Sequence, residues 1–276
     1  MPRSANAQLA VDMYDALSAR YGWDRATAWH GIARLLLSCD VWRHGWEHFH
    51  DVVVYREAND FNNGPRGPNA VLRRAETLTA YLANELSIPR AELCGEIAAY
   101  WRDPEIADFQ PHNLAGHAFR SLTVHILERF GNPEITYLEE ISPYDEFPGQ
   151  HFATRSRNPK IDIVARRGNV TVALISSRWR FRHDRVDVVE EAMAYAPAAR
   201  RHNPNCQLYA SIGEFAPNRI EKILVNCPPA QPHGALTGAV HFAPQLISEG
   251  LGENGRMAHL KSLEWLIGET FAWRGM

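Results

Sequence analysis

The sequence predicts a mixed α/β fold of the α+β kind: a mixed β-sheet flanked by helices, with an N-terminal helical subdomain. Three observations predict it. Residues 5 to about 131 carry apolar side chains at helical spacing. From Glu134 onward β-branched runs alternate with helical ones. A hairpin of two such runs feeds directly into a helix at residues 186 to 201.

In chain order, the helical pattern covers Ala5 to Tyr21, Asp24 to Cys39, Val41 to Ala58, Pro68 to Leu86, Pro89 to Arg102 and Ala115 to Phe130. Gly22, Gly64-Pro65, Gly67-Pro68, Pro104 and Pro111 act as breakers. Strands follow at Ile135 to Ile141, in the 160 to 178 hairpin, at Gln207 to Ile212 and at Ala239 to Phe242. A short helix is expected near Asn218 to Leu224 and a last one at about Met257 to Phe271. No linker rich in Pro, Gly or Ser divides the chain. A helical region over 1–131 is therefore expected to pack on a core over 132–276 as one body.

The formal net charge of −3 does not suggest a nucleic-acid binder, but the charge is uneven. Arg155 to Arg185 holds nine Lys or Arg against two Asp, a basic band on an otherwise acidic chain. Only three cations are lysines (Lys160, Lys222, Lys261). Arginine thus serves generally where lysine is usual, and an Arg in a Lys place is a weak signal by itself. Cys39, Cys94, Cys206 and Cys227 are widely spaced, form no CxxC pair and read as free thiols of a reducing compartment. With no run of about 18 apolar residues, the expected location is the cytoplasm, away from membrane.

Chemistry concentrates between Lys160 and Glu191. The first strand carries Asp162, the second leaves its apolar run at Ser176 and reaches Arg178, and the following helix carries Glu190 and Glu191. Adjacent strands lie about 4.8 Å apart, so a carboxylate on one and groups on the next can share one ion. A carboxylate between Ile161 and Ile163 is costly unless it is paired or binds metal. A carboxylate on one strand, a cation near the end of the next and a glutamate on the following helix suit metal-dependent phosphodiester hydrolysis, in which two carboxylates can hold Mg²⁺. Each piece also has an ordinary structural reading: a satisfied strand Asp, a solvated helix face, a local ion-pair cluster.

This stretch resembles the PD-(D/E)xK nuclease superfamily, and more narrowly the type II restriction endonucleases that recognise sites with a CCGG core. The resemblance rests on Pro159-Lys160-Ile161-Asp162, Ile175-Ser176-Ser177-Arg178-Trp179, Arg182-His183-Asp184-Arg185 and Glu190-Glu191. It implies a restriction-endonuclease-like core and a Mg²⁺-dependent double-strand DNA endonuclease acting on a palindromic CCGG-core site, as a homodimer at least on DNA. It implies Asp162 and Glu191 as metal ligands, Ser176 in the serine place, Arg178 in the lysine place and Glu190 as the neighbouring candidate. Arg182, Asp184 and Arg185 would read the core, beside Arg180 and His183; arginine forks match guanine and a carboxylate accepts from cytosine. Two departures matter. Arg178 stays protonated and cannot act as a base. Lys-Ile separates Pro159 from Asp162, and Lys160 is an alternative ammonium on the same strand face.

Other patterns compete. His44-Gly45-Trp46-Glu47-His48 matches H-x-x-E-H, an inverted zinc-peptidase pattern, but Gly45 weakens the helix and no third ligand stands out among 13 histidines. Gly250-x-Gly252-x-x-Gly255 imitates a dinucleotide fingerprint with too little chain after it. Leu86-Ser87 before Arg90 to Trp101 is weak support for a helix-turn-helix. A DNA-binding protein with a decayed nuclease site is the alternative of a different class.

Overall fold

A computed structural model describes residues 5–44, 68–100, 111–154, 156–179, 187–228, 234–248 and 259–275. The helical part comprises α1 (Ala5–Tyr21), α2 (Trp29–His44), α3 (Pro68–Glu85), α4 (Arg90–Tyr100) and α5 (Pro111–Phe130). The rest runs β1 (Ile135–Ile141), α6 (Pro143–Glu146), β2 (Ile161–Arg167), β3 (Val170–Arg178), α7 (Asp187–His202), β4 (Gln207–Ile212), α8 (Pro217–Leu224), β5 (Gly238–His241), α9 (Gln245–Ser248), β6 (Leu260–Ser262) and α10 (Leu263–Glu269). The expected mixed α/β fold is present, with a six-stranded mixed sheet flanked by helices.

The strands stand in sequence order. β1, β2 and β3 are antiparallel neighbours, whereas β3, β4, β5 and β6 run parallel. β3 is therefore the seam between the two halves. Parallel pairing needs crossover connections, which α7 and α8 provide. The period-two rule then divides the sheet's faces. Ile163, Ala165, Ala173 and Ile175 join the core shared with α1 to α5 and α10, while Val164 and Leu174 join a second core with α7 and α8.

α2 is the central helix of the first core. Ile32, Ala33, Leu35, Leu36 and Leu37 are all buried, as expected of a helix packed on every side. The expected break near Asp40, between Asp24–Cys39 and Val41–Ala58, does not exist: one helix runs from Trp29 to His44. One local and one long-range interaction bear on the bounds of this helix. Asp24 and Thr27 bond each other, Thr27 N to Asp24 Oδ1 at 3.0 Å and Asp24 N to Thr27 Oγ1 at 2.8 Å, and this turn delays the helix start. Asp40 is matched by Arg74 of α3, whose Nη2 donates to Oδ1 at 2.7 Å, so helix α2 continues through it.

Two further boundaries differ from the reading. The last helix starts at Leu263 rather than near Met257, because Ser262 caps it by accepting from Trp265 N at 3.1 Å. Leu260–Ser262 instead extends the sheet beside β5. α5 starts at Pro111 rather than at Ala115; the proline's missing N–H is harmless in the first turn. β2 runs to Arg167, and Gly168 supplies the positive φ of 60° that the turn into β3 requires.

None of the four cysteines is in a disulfide. No described helix is long and apolar enough to cross a membrane. Glu47, His48 and Gly250 to Gly255 lie outside the described residues, so neither competing motif is located in space.

Candidate active site at the end of strand β3

The site is assembled by three elements whose positions follow from pairing and burial. β2 and β3 pair with Ile163 opposite Ile175, which sets Asp162 opposite Ser176. Alternation puts Asp162, Ser176 and Arg178 on the sheet face that α7 covers. α7 packs there through Val188, Val189, Ala192 and Ala196, all buried, and so presents Glu191 to the strand ends.

The backbone at Arg178 is held firmly. Gly213 N, just beyond β4, donates to Arg178 O at 2.9 Å. A Cβ on Gly213 would stand 3.0 Å from the Trp179 carbonyl and 3.2 Å from its ring, so glycine is what permits this close approach. Trp179 in turn is buried against Phe119 of α5, with ring centroids 5.1 Å apart. The helical part thereby fixes the residue that follows the site cation.

Asp162 Oδ2 accepts from Ser177 N at 2.8 Å and from Arg178 Nη1. The same Nη1 donates to the main-chain carbonyl of Ser177 at 3.0 Å. Arg178 Nη2 donates to Glu191 Oε1, and Ser176 Oγ donates to Glu191 Oε2 at 3.1 Å. One guanidinium is thus surrounded by two carboxylates and a carbonyl. Side-chain exposures of 13% for Asp162, 25% for Arg178 and 24% for Glu191 put the cluster at the edge of solvent, where charges interact more strongly than in bulk water.

Burial pushes the Glu191 carboxyl up to about 6; the Arg178 charge and the Ser176 hydroxyl pull against this, and the Asp162 and Asp187 charges reinforce it. Burial by itself would lower the Arg178 pKa, but Asp162 and Glu191 outweigh it and raise the value, so the guanidinium stays charged. The ratio of two carboxylates to one cation leaves the cluster one negative charge in excess.

Glu191 also forms part of the wall of a cleft of about 800 Å³, together with Thr154, Lys160 and, on α7, Asp187, Glu190 and Tyr195. Burial, then the Glu191 and Asp162 charges, raise the Tyr195 phenol. Among the described lining residues three carboxylates stand against one ammonium, a balance that repels a phosphate unless a cation lies between them.

The structure therefore brings together Asp162, Ser176, Arg178 and Glu191. Glu190 is not among them: it is exposed on the cleft wall, one helical step away. Lys160 is exposed at the cleft and immediately precedes β2. Arg180, Arg182, His183, Asp184 and Arg185 lie outside the described residues. Sequence reasoning missed the main-chain N–H and C=O of Ser177, which no side-chain pattern reveals. It also missed Asp187 and Tyr195, which stand at i−4 and i+4 from Glu191 and were findable from that spacing. Glu140 was missed too. It interrupts the β1 ladder opposite Asp162 with φ 54°, and its carboxylate accepts from Arg120 Nη1 at 3.0 Å.

Among the described residues no three His, Cys, Asp or Glu side chains form a metal cluster. The donor set is instead two carboxylates and a carbonyl, all hard oxygens already gathered round one cation. That set fits Mg²⁺, which takes one or two carboxylates and keeps several waters. No protein-family model, no curated protein and no solved structure matches this chain.

Proposed function

We propose that the protein is a sequence-specific, Mg²⁺-dependent double-strand DNA endonuclease of the restriction type, acting at a palindromic site with a CCGG core. The observation that carries the reading is the convergence of Asp162, Glu191 and the Ser177 carbonyl on one cation position beside the cleft. Their order on a strand, the next strand's end and the next helix is the order that the nuclease resemblance implies.

In this reading Asp162, Glu191 and the Ser177 carbonyl would hold the Mg²⁺. When bound, the metal would lower the pKa of a coordinated water and neutralise charge on the scissile phosphate. Ser176 orients Glu191 through its hydroxyl, and Ser177 N orients Asp162. Arg178 stabilises the phosphate as its charge develops; being permanently protonated, it takes no proton. Lys160, exposed at the cleft, would meet the DNA backbone there. Arg182, Asp184 and Arg185, with Arg180 and His183, read the core from the major groove. Cutting both strands of a palindrome calls for a homodimer on DNA.

The test is digestion of a plasmid rich in CCGG-containing hexamers, in Mg²⁺ and in EDTA, with the fragment ends sequenced. Discrete Mg²⁺-dependent fragments ending inside such sites are expected, and Asp162→Asn should reduce cutting at least about a hundredfold while specific gel shifts persist. No cutting by the wild type in any divalent metal would end the nuclease reading. The engagement of Arg178 by both carboxylates favours one other reading, a DNA-binding protein with a decayed site; it predicts CCGG-specific shifts without fragments.

A further inference from the structure

We infer that Arg178 is a built-in counter-cation that holds the metal position in the free protein, so that guanidinium and divalent metal compete for the same three oxygens. This rests on the assignment of Asp162, Glu191 and the Ser177 carbonyl as the metal set.

The geometry carries the inference. Arg178 uses Nη1 on Asp162 Oδ2 and on Ser177 O, and Nη2 on Glu191 Oε1; these are the oxygens a hard cation would take. They come from β2, β3 and α7, so no separate rearrangement of the chain is needed to gather them. Mg²⁺ requires its oxygens at about 2.0–2.1 Å, whereas a guanidinium holds them at about 2.7–2.9 Å. One set of oxygens cannot satisfy both, and two cations at one spot repel. The arginine is charged at every accessible pH, so unlike a lysine it does not vacate the position by losing its proton.

Displacement has a direction. The side chain is a quarter exposed, and its partner Glu191 lines the cleft, so the released fork enters the space where a phosphate would sit. A phosphate there would repay the lost ion pairs. Metal uptake and DNA binding are then coupled, each favouring the other. The metal-free protein stays folded with both carboxylates paired to Arg178, and the cation site is completed only when DNA draws Arg178 away.

The experiment is calorimetric titration of the full chain with Ca²⁺ alone, wild type against Arg178→Gln and Arg178→Lys. Arg178→Gln should bind Ca²⁺ at least ~10-fold more tightly than wild type, and adding Asp162→Asn to it should erase the gain. CCGG-core duplex should tighten Ca²⁺ binding to the wild type but much less to Arg178→Gln. Equal or weaker Ca²⁺ binding by Arg178→Gln would overturn the inference. A wild-type arm needs no variant to fold: Mn²⁺ titration followed by electron paramagnetic resonance without DNA should show no tight site, and micromolar uptake would overturn the inference. The two readings fail separately. Mg²⁺-dependent cutting with no gain of metal affinity in the variants rejects the counter-cation and keeps the nuclease. A gain of affinity without cutting of any DNA keeps the counter-cation and rejects the nuclease.

Discussion

Glu96 in the helical part and Glu191 at the cleft each hold an arginine, yet their carboxyls move in opposite directions. Glu96 accepts from Arg34 Nη2 at 2.7 Å and pairs with Arg20 Nη1 at 2.7 Å, with Tyr21 OH 3.2 Å from both oxygens. Burial would raise its pKa, but the Arg34 hydrogen bond and the two arginine charges lower it. At Glu191 the proportion is reversed. One arginine serves two carboxylates, and burial together with Asp162 raises the carboxyl to about 6. The contact is the same; at Glu191 burial outweighs one shared arginine, whereas at Glu96 two arginines outweigh burial. In the helical part Glu96 has two arginines and the buried Asp40 has Arg74, whereas at the cleft one arginine stands between two carboxylates.

The largest effect expected from this contrast is at Arg74→Ala. It would leave Asp40, whose side chain is 1% exposed, charged and without its main partner. A loss of about 3–5 kcal/mol is expected, read by denaturant unfolding. A loss below 1 kcal/mol would show that the helical ion pairs are not what holds α2 to α3.

Glu96→Gln is next. It removes hydrogen bonds to charged donors and leaves Arg34 buried beside a neutral amide, and about 1.5–3 kcal/mol should be lost at pH 7. Glu191→Gln should instead lie within about 1 kcal/mol of the wild type, or exceed it, since a raised carboxyl is a stability cost at neutral pH. A Glu191→Gln loss as large as that of Glu96→Gln would break the comparison.

The pH dependence gives the smallest and sharpest test. Glu191 has a folded pKa above its ordinary 4.5, so the folded state holds the proton more tightly. Its contribution to stability is greatest below 4.5 and falls as pH rises toward about 6. The wild type should therefore gain on Glu191→Gln as pH drops from 7 to 5. Glu96 has the opposite sign: its contribution is complete above about 4.5 and is lost as pH falls through the lowered folded value. The deficit of Glu96→Gln should stay constant between pH 7 and 5. Melting temperatures of the two variants against wild type across this range decide the matter.

Much of the fold was legible because periodicity reports burial. The β-branched run Val170 to Ile175 and the apolar spacing from Val188 to Ala196 placed β3 and α7 to within a few residues. Where the reading erred, a polar contact between distant residues decided. Asp40 resembled a helix break until Arg74, 34 residues on, matched it. Leu260–Ser262 is too short to read as a strand without β5 to pair with. Of the site, the residue types and the parity of Asp162, Ser176 and Arg178 were open to reading, because strand alternation is a local property.

The sequence by itself determined which side chains carry charge at the strand ends and which faces they occupy. It also determined that the end of the second hairpin strand carries an arginine, a cation that cannot lose its proton. Only the tertiary structure decided that Glu191 and not Glu190 turns to the cluster, since α7 buries Val188, Val189 and Ala192 and this fixes its rotation. Only it showed the Ser177 carbonyl as a third oxygen, because main-chain groups leave no trace in residue identity. And only it seated Arg178 between both carboxylates, an arrangement set by the packing of α7 on β3 and by the electrostatic demand of two partly buried negative charges for a cation.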